Sequence, residues 1–186
     1  MMRIFLTGVA DVGKTSTGRK LAEHLHVRFF DLDDEIEAFF GESIERLQNR
    51  FRTIRSFREE AAKALTALLA RPESLDSVIA LPPSGLMGGY LRVIKKVPGI
   101  VIALSDRPEN LLKRITFYDI DSKPIEMVLT PEDKRWYLKE IKKDITYFGK
   151  TYGRAHIRLD IEDLDEKGAA DKLKEAIVDF LQATAR

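Results

Sequence analysis

Directly behind the apolar run Arg3 to Leu6, the chain reads "GVADVGKTSTG", Gly8 to Gly18. The spacing Gly8-x-x-x-x-Gly13-Lys14-Thr15 constrains the fold more than any other stretch, because it belongs between a strand and a helix. Its glycines let backbone N–H groups curl around an anion. Lys14 adds a point charge, and the Thr15 hydroxyl can reach Mg²⁺. "TSTGRKLAEHL" then places Leu21, Ala22 and Leu25 at helical spacing. The bland alternative is a plain glycine turn. The order strand, loop, helix favours phosphate.

Four more apolar strand candidates follow: "RFFDLD", "SVIAL", "GIVIAL" and "HIRLDI", ending near Asp33, Leu81, Leu104 and Ile161. Helix-like stretches lie between them, at Glu35 to Phe40, Phe51 to Ala70, Met87 to Lys96, Asn110 to Phe117, Pro131 to Phe148 and Ala169 to Leu181. Thr130-Pro131 is a helix start, a capping hydroxyl followed by proline at the first helical position. Strands alternating with helices predict an α/β fold in three layers, with a five-stranded parallel sheet covered on both faces. The length of 186 residues predicts one domain spanning residues 1–186. In such sheets ligands sit beyond the carboxyl ends of the strands.

Asp31 and Asp33 follow the second strand with period-two spacing. One could face a metal and the other an acceptor hydroxyl, which are the two acidic roles of phosphoryl transfer. The competing reading makes Asp33 or Asp34 the cap of the next helix. "RLQNRFRTIRSFREE" holds five arginines from Arg46 to Arg58. Most read as a solvated helix face, while one aimed at a pocket would grip a carboxylate with two parallel hydrogen bonds. Thr116 to Asp133 breaks the periodicity, and Thr116 to Thr130 reads as a mobile lid rather than a plain surface loop.

Together, Gly13-Lys14-Thr15, Leu21-Ala22, Asp31-x-Asp33, Gly41-x-Ser43-Ile44 and Phe57-Arg58 resemble the shikimate kinase family, most closely over Arg3 to Leu69. The resemblance implies a P-loop fold of the nucleoside-monophosphate-kinase type, and phosphate transfer from ATP to a hydroxyl of a small hydroxylated carboxylate. Shikimate is the first candidate acceptor. It implies ATP contacts from Gly8, Asp11, Val12, Gly13, Lys14, Thr15 and Ser16, with Arg114 against adenine and Lys123 reaching the phosphates from the lid. Lys14 and Asp33 would be catalytic. Thr15 would ligate Mg²⁺, and Asp31 would hold it through water. Asp33, Arg58, Gly85 and Lys143 would bind the acceptor, framed by helices over about residues 33–70.

The sequence departs from the family at the acceptor end. Where shikimate kinases carry three glycines after the third strand, this chain reads "ALPPSGLMGG". Proline has no N–H to donate. The family's second substrate arginine lies four residues before a tyrosine. That position is Lys143 if matched on Tyr147, and Phe148 if matched on Tyr152. Two alternatives therefore stay open: a kinase of another small acid or polyol such as gluconate, and an ATP-binding regulator that has lost its acceptor.

Composition narrows the partners. The 31 basic and 30 acidic residues, net +1, argue against a general nucleic-acid or membrane-surface binder. The absence of cysteine excludes disulfides and thiol catalysis and fits a reducing cytoplasm. No apolar run approaches membrane length, and the N-terminal one meets Asp11 too early for a signal peptide. A monomer is expected. His24 and His26 are two apart and make a poor metal pair, and His156 reads as structural.

Overall fold

The computed structural model describes residues 2–185. Five parallel strands form the main sheet: β1 (Arg3–Thr7), β2 (Arg28–Asp31), β3 (Ser77–Ala80), β4 (Ile100–Ser105) and β7 (Ile157–Asp160). Their order is β2-β3-β1-β4-β7. β1 lies at the centre, with Ile4 registered against Val78 on one side and Ile100 on the other. All five of its residues are buried, so both faces of the sheet are covered there. The edge strand β7 alternates between half-buried and exposed residues, as one-sided cover dictates. Phe5, Leu6, Ile79 and Ile102 are fully buried and form the middle of the core.

Helix α1 (Lys14–Leu25) follows β1 and packs on α8 (Glu166–Thr184). Helices α2 (Leu32–Phe40), α3 (Ile44–Asn49) and α4 (Ile54–Ala70) fill the stretch between β2 and β3. α5 (Gly88–Ile94) packs along α4, and α6 (Pro108–Arg114) packs on α7 (Pro131–Tyr152). The chain leaves β1 toward β2, but leaves β3 toward β4 on the opposite side. This reversal opens a crevice beyond the carboxyl ends of β1 and β3, where such sheets take their ligands.

The observed boundaries differ from the expected ones for local reasons. β2 ends at Asp31 rather than near Asp33, because the Asp31 carboxylate accepts the Asp33 N–H at 3.1 Å and starts α2 at Leu32. The long helix begins at Ile54, not Phe51, because the Thr53 side chain accepts the Ser56 N–H and caps it. α3 is a separate six-residue helix capped by Ser43. Thr130 and Asp133 form a reciprocal capping box at the start of α7, worth about 1 kcal/mol.

The segment 116–130 is not without structure. It carries a small antiparallel hairpin, β5 (Phe117–Tyr118) with β6 (Pro124–Ile125). The hairpin tip reaches α2 and the start of α3. Ser43 Oγ donates to Ile120 O at 2.6 Å, and Arg46 Nε donates to the Asp121 carboxylate at 2.7 Å. Ser122 Oγ contacts the Glu37 and Glu45 carboxylates.

Candidate active site

The loop after β1 is shaped as an anion cradle. Gly8 has φ 153°, and a Cβ there would lie 2.6 Å from Leu104 O and 2.8 Å from a Val12 methyl. Only glycine lets the loop fold this tightly. Val12 is fully buried beneath it, while Thr15 and Ser16 stay exposed at the mouth. Lys14 Nζ curls back onto Gly8 O at 3.1 Å and Val9 O at 2.9 Å. Burial pulls the Lys14 ammonium below its ordinary range, against the opposing charges of Asp33, Asp31 and Asp11. A bound polyphosphate would supply the charge that this ammonium lacks.

Thr15 Oγ1 donates to Asp31 Oδ2 at 2.6 Å. The pair presents a hydroxyl and a carboxylate, both hard oxygen ligands. Among the described residues no group of three or more acids or histidines could form a dedicated metal cage. This set suits Mg²⁺, which keeps several waters and takes one or two protein oxygens plus phosphate.

Asp31 is the cap of α2, a role the sequence reading had offered to Asp33 or Asp34. Asp33 stands on the first turn of α2, one element away from the strand that holds Asp31. Burial first, then the neighbouring Asp31 carboxylate, push Asp33 up to about 7, against the pull of Lys14. Asp33 lines two cavities. One, of about 390 Å³, is shared with Thr15, Asp31, Glu37 and Ser122. The other, of about 270 Å³, is shared with Arg58, Phe57, Pro82, Pro83, Tyr90 and Phe148.

The five arginines separate cleanly. Arg46 pairs with Asp121 and Arg50 with Glu42. Arg52 and Arg55 are exposed. Arg58 turns into the second cavity, where its Nε is buried without a hydrogen-bond partner. An orphaned guanidinium N–H costs free energy until an acceptor arrives. Asp33 and Arg58 are thus brought together as the carboxylate and the cation of one pocket.

Two acceptor candidates are placed elsewhere. Gly85 is buried outside the lining, and its N–H donates to Pro82 O at 2.8 Å. Lys143 pairs with Glu140 on the surface of α7. Phe148, one turn further along α7, lines the pocket instead. Of the two alternatives only the Tyr152 match falls on a residue that lines this pocket, and Tyr152 Oη donates to Pro83 O at 3.0 Å.

On α6, Arg114 is tied to the buried carboxylate of Asp106. Burial raises Asp106, but hydrogen bonds from Asn110, Arg114 and the Arg107 N–H outweigh it and hold the group below its ordinary range. Asp106 was missed in the sequence, although an acid just ahead of a proline that opens a helix was the available signal. Asp11 adopts φ 59° and accepts the Thr116 N–H at 3.3 Å, joining the loop to the base of the hairpin. Burial raises the Asp11 carboxyl, with that hydrogen bond, Lys14 and Arg114 opposing. Lys123 stands exposed on the hairpin, its N–H held by Asp119 at 2.9 Å. His156 is structural: its Nδ1 accepts the Val101 N–H at 2.9 Å.

Residues 11–177 match the shikimate kinase family profile. The chain belongs to the shikimate kinase family. The shikimate kinase of Caldanaerobacter subterraneus subsp. tengcongensis is 26% identical over 179 residues, 96% of this chain and 97% of that protein. That of Neisseria gonorrhoeae is 30% identical over 129 residues, 69% of this chain and 72% of that protein. Among solved structures, the shikimate kinase of Bacteroides thetaiotaomicron superposes with a TM-score of 0.76 at 23% identity, covering 95% of this chain and 98% of that one. The Acinetobacter baumannii shikimate kinase, solved in complex with shikimate, gives 0.69 at 25% identity, covering 96% and 94%. This shikimate kinase family member is a phosphotransferase of the P-loop fold whose family uses ATP as substrate. No helix among the described residues is long and apolar enough to cross a membrane.

Proposed function

We propose that this protein transfers the γ-phosphoryl group of ATP to a hydroxyl of shikimate, giving shikimate 3-phosphate. The observation that carries the reading is the position of Asp33, the charged residue common to the phosphate-side cavity and the acceptor pocket. A carboxylate there touches the hydroxyl that attacks, with the phosphate-binding loop on its other side.

Each residue has one task. Arg58 grips the acceptor carboxylate and fixes the far end of the ring. Asp33 accepts the proton of the reacting hydroxyl as its oxygen bonds to the γ-phosphorus and the bond to the bridging β-oxygen breaks. Its raised pKa places it near the operating pH, where a general base is most effective. Lys14 balances charge on the β- and γ-phosphates. Thr15 and Asp31 would hold Mg²⁺, which when bound neutralises charge on the same phosphates. Arg114 and Lys123 would border the nucleotide. We take the chain to act as one domain and as a monomer, and its cysteine-free sequence fits a reducing cytoplasm.

The walls of the pocket favour a second acceptor to be tried beside the first. Pro82 and Pro83 offer no N–H, and Phe148 replaces a cation with a ring. Another small hydroxylated acid, such as gluconate, belongs in the same assay. ATP consumption should be measured with shikimate, gluconate and their decarboxylated analogues. Arg58→Ala should cost about 2–4 kcal/mol of acceptor binding, roughly 30- to 1000-fold in KM for shikimate. Fastest turnover of a neutral polyol, unaffected by Arg58→Ala, would overturn the reading.

The hairpin region is expected to behave as a lid. Amide exchange across 116–130 should slow when ADP and shikimate bind together, because closure excludes water from the transferring group. Equal protection with and without ligands would show a fixed flap.

A further inference from the structure

Tyr90 is delivered to the acceptor pocket by the close packing of α5 on α4. Gly88, at φ 47°, opens α5. At Gly89 a Cβ would lie 2.7 Å from the Ala62 Cβ and 3.1 Å from Arg58 O. α5 therefore rests directly on α4, and Tyr90 enters beside Arg58. The residue is only 1% exposed, yet it lines the pocket, and its hydroxyl is buried without a partner.

No protein group pairs with that hydroxyl. The carbonyls of Pro83 and Pro82, whose residues line the same pocket, accept from Tyr152 Oη at 3.0 Å and from the Gly85 N–H at 2.8 Å. Neither proline has an N–H. Burial raises the phenol well above its ordinary range, reinforced by Asp33 and opposed by Arg58, so it stays a neutral donor at physiological pH. Two unpartnered donors, Tyr90 Oη and Arg58 Nε, share one small pocket. Buried donors in native proteins have partners, so a pocket with two free ones is built for an anionic acceptor group.

We propose that Tyr90 donates a hydrogen bond to the acceptor's carboxylate beside Arg58 and is a specificity-determining residue of this enzyme. The inference rests on the kinase reading above. It adds a neutral donor on one side of the carboxylate, with Phe148 supplying an apolar wall.

The test compares wild type with Tyr90→Phe, using shikimate and its decarboxylated analogue. In Tyr90→Phe, KM for shikimate should rise about 10- to 100-fold, the loss expected for a hydrogen bond to a charged group. KM for ATP should move far less, and so should the rate with the decarboxylated analogue. Unliganded thermal stability should hold or rise, since the deleted hydroxyl has no partner to lose. ADP should still raise the melting temperature, while the shift produced by shikimate shrinks. A purely structural Tyr90 would instead weaken both acceptors and the unliganded fold alike, and that result overturns the proposal. Wild-type turnover of shikimate with an unchanged KM in Tyr90→Phe overturns the Tyr90 assignment alone. No wild-type turnover or binding of shikimate overturns the kinase reading itself, and the inference with it.

Discussion

Lys14→Ala should lower turnover by about 10³-fold, some 4 kcal/mol of transition-state stabilisation, in line with removal of a preorganised charge from a water-excluded site. The charge is preorganised because the loop already holds it. Lys14 Nζ rests on Gly8 O and Val9 O within the cradle. The same substitution should leave the unliganded protein as stable as wild type, or more so. Burial disfavours the Lys14 ammonium in the folded chain, so a neutral side chain relieves a cost. Single-turnover kinetics paired with thermal unfolding checks both halves. Normal turnover, or a large loss of unliganded stability, would remove Lys14 from the phosphate site.

Asp33→Asn carries the second large effect. Loss of the base should reduce kcat by about 10²- to 10⁴-fold. In wild type, kcat/KM should rise with pH through about 7, as Asp33 gives up its proton, and level off above. The asparagine variant should lose that limb. Stability should move the other way. From the ordinary carboxylate range up to about 7, the folded chain holds Asp33 protonated more readily than the unfolded chain does. The share of stability that comes from this group is therefore present in acid and is lost as pH rises through 7. Asp33→Asn should flatten that slope and leave the unliganded enzyme more stable at neutral pH. A wild-type profile flat between pH 6 and pH 8 in both activity and stability would contradict the assignment (pH limits at about one unit around the shifted value).

The nucleotide end was readable because it is local. Gly8 to Ser16 is one loop, and its position after a buried strand follows from a few neighbours. Asp31, Asp33 and Arg58 were found as motif members, but their relation was not. Two residues of spacing suggested a shared strand, whereas the Asp31 side chain caps a helix and lifts Asp33 onto it. The resemblance singled out Arg58, and the structure supplies the physical reason: Arg46 and Arg50, in and at the end of α3, turn to acidic partners, while Arg58 on α4 lines the pocket. Tyr90 was out of reach of the sequence, whereas Phe148 stood there as one of two alternatives. Tyr90 on α5 lines the same pocket as Arg58 on α4, and no short-range pattern brings together residues 32 positions apart. The hairpin showed itself only as broken periodicity, since strands of two residues are too short to alternate.

The close seating of α5 on α4 also limits how a lineage of such enzymes can change its acceptor. Ala62 and Gly89 touch with no room for another methyl group, so enlarging either would shift the helix and carry Tyr90 away from Arg58. Substitutions that enlarge this contact should be tolerated poorly, and those at the pocket rim far better. Descendants that take a different acid should therefore differ first at Phe148, Ile54 or Gln48, whose side chains border the pocket without holding two helices together. The phosphate loop would pass through such a transition unaltered.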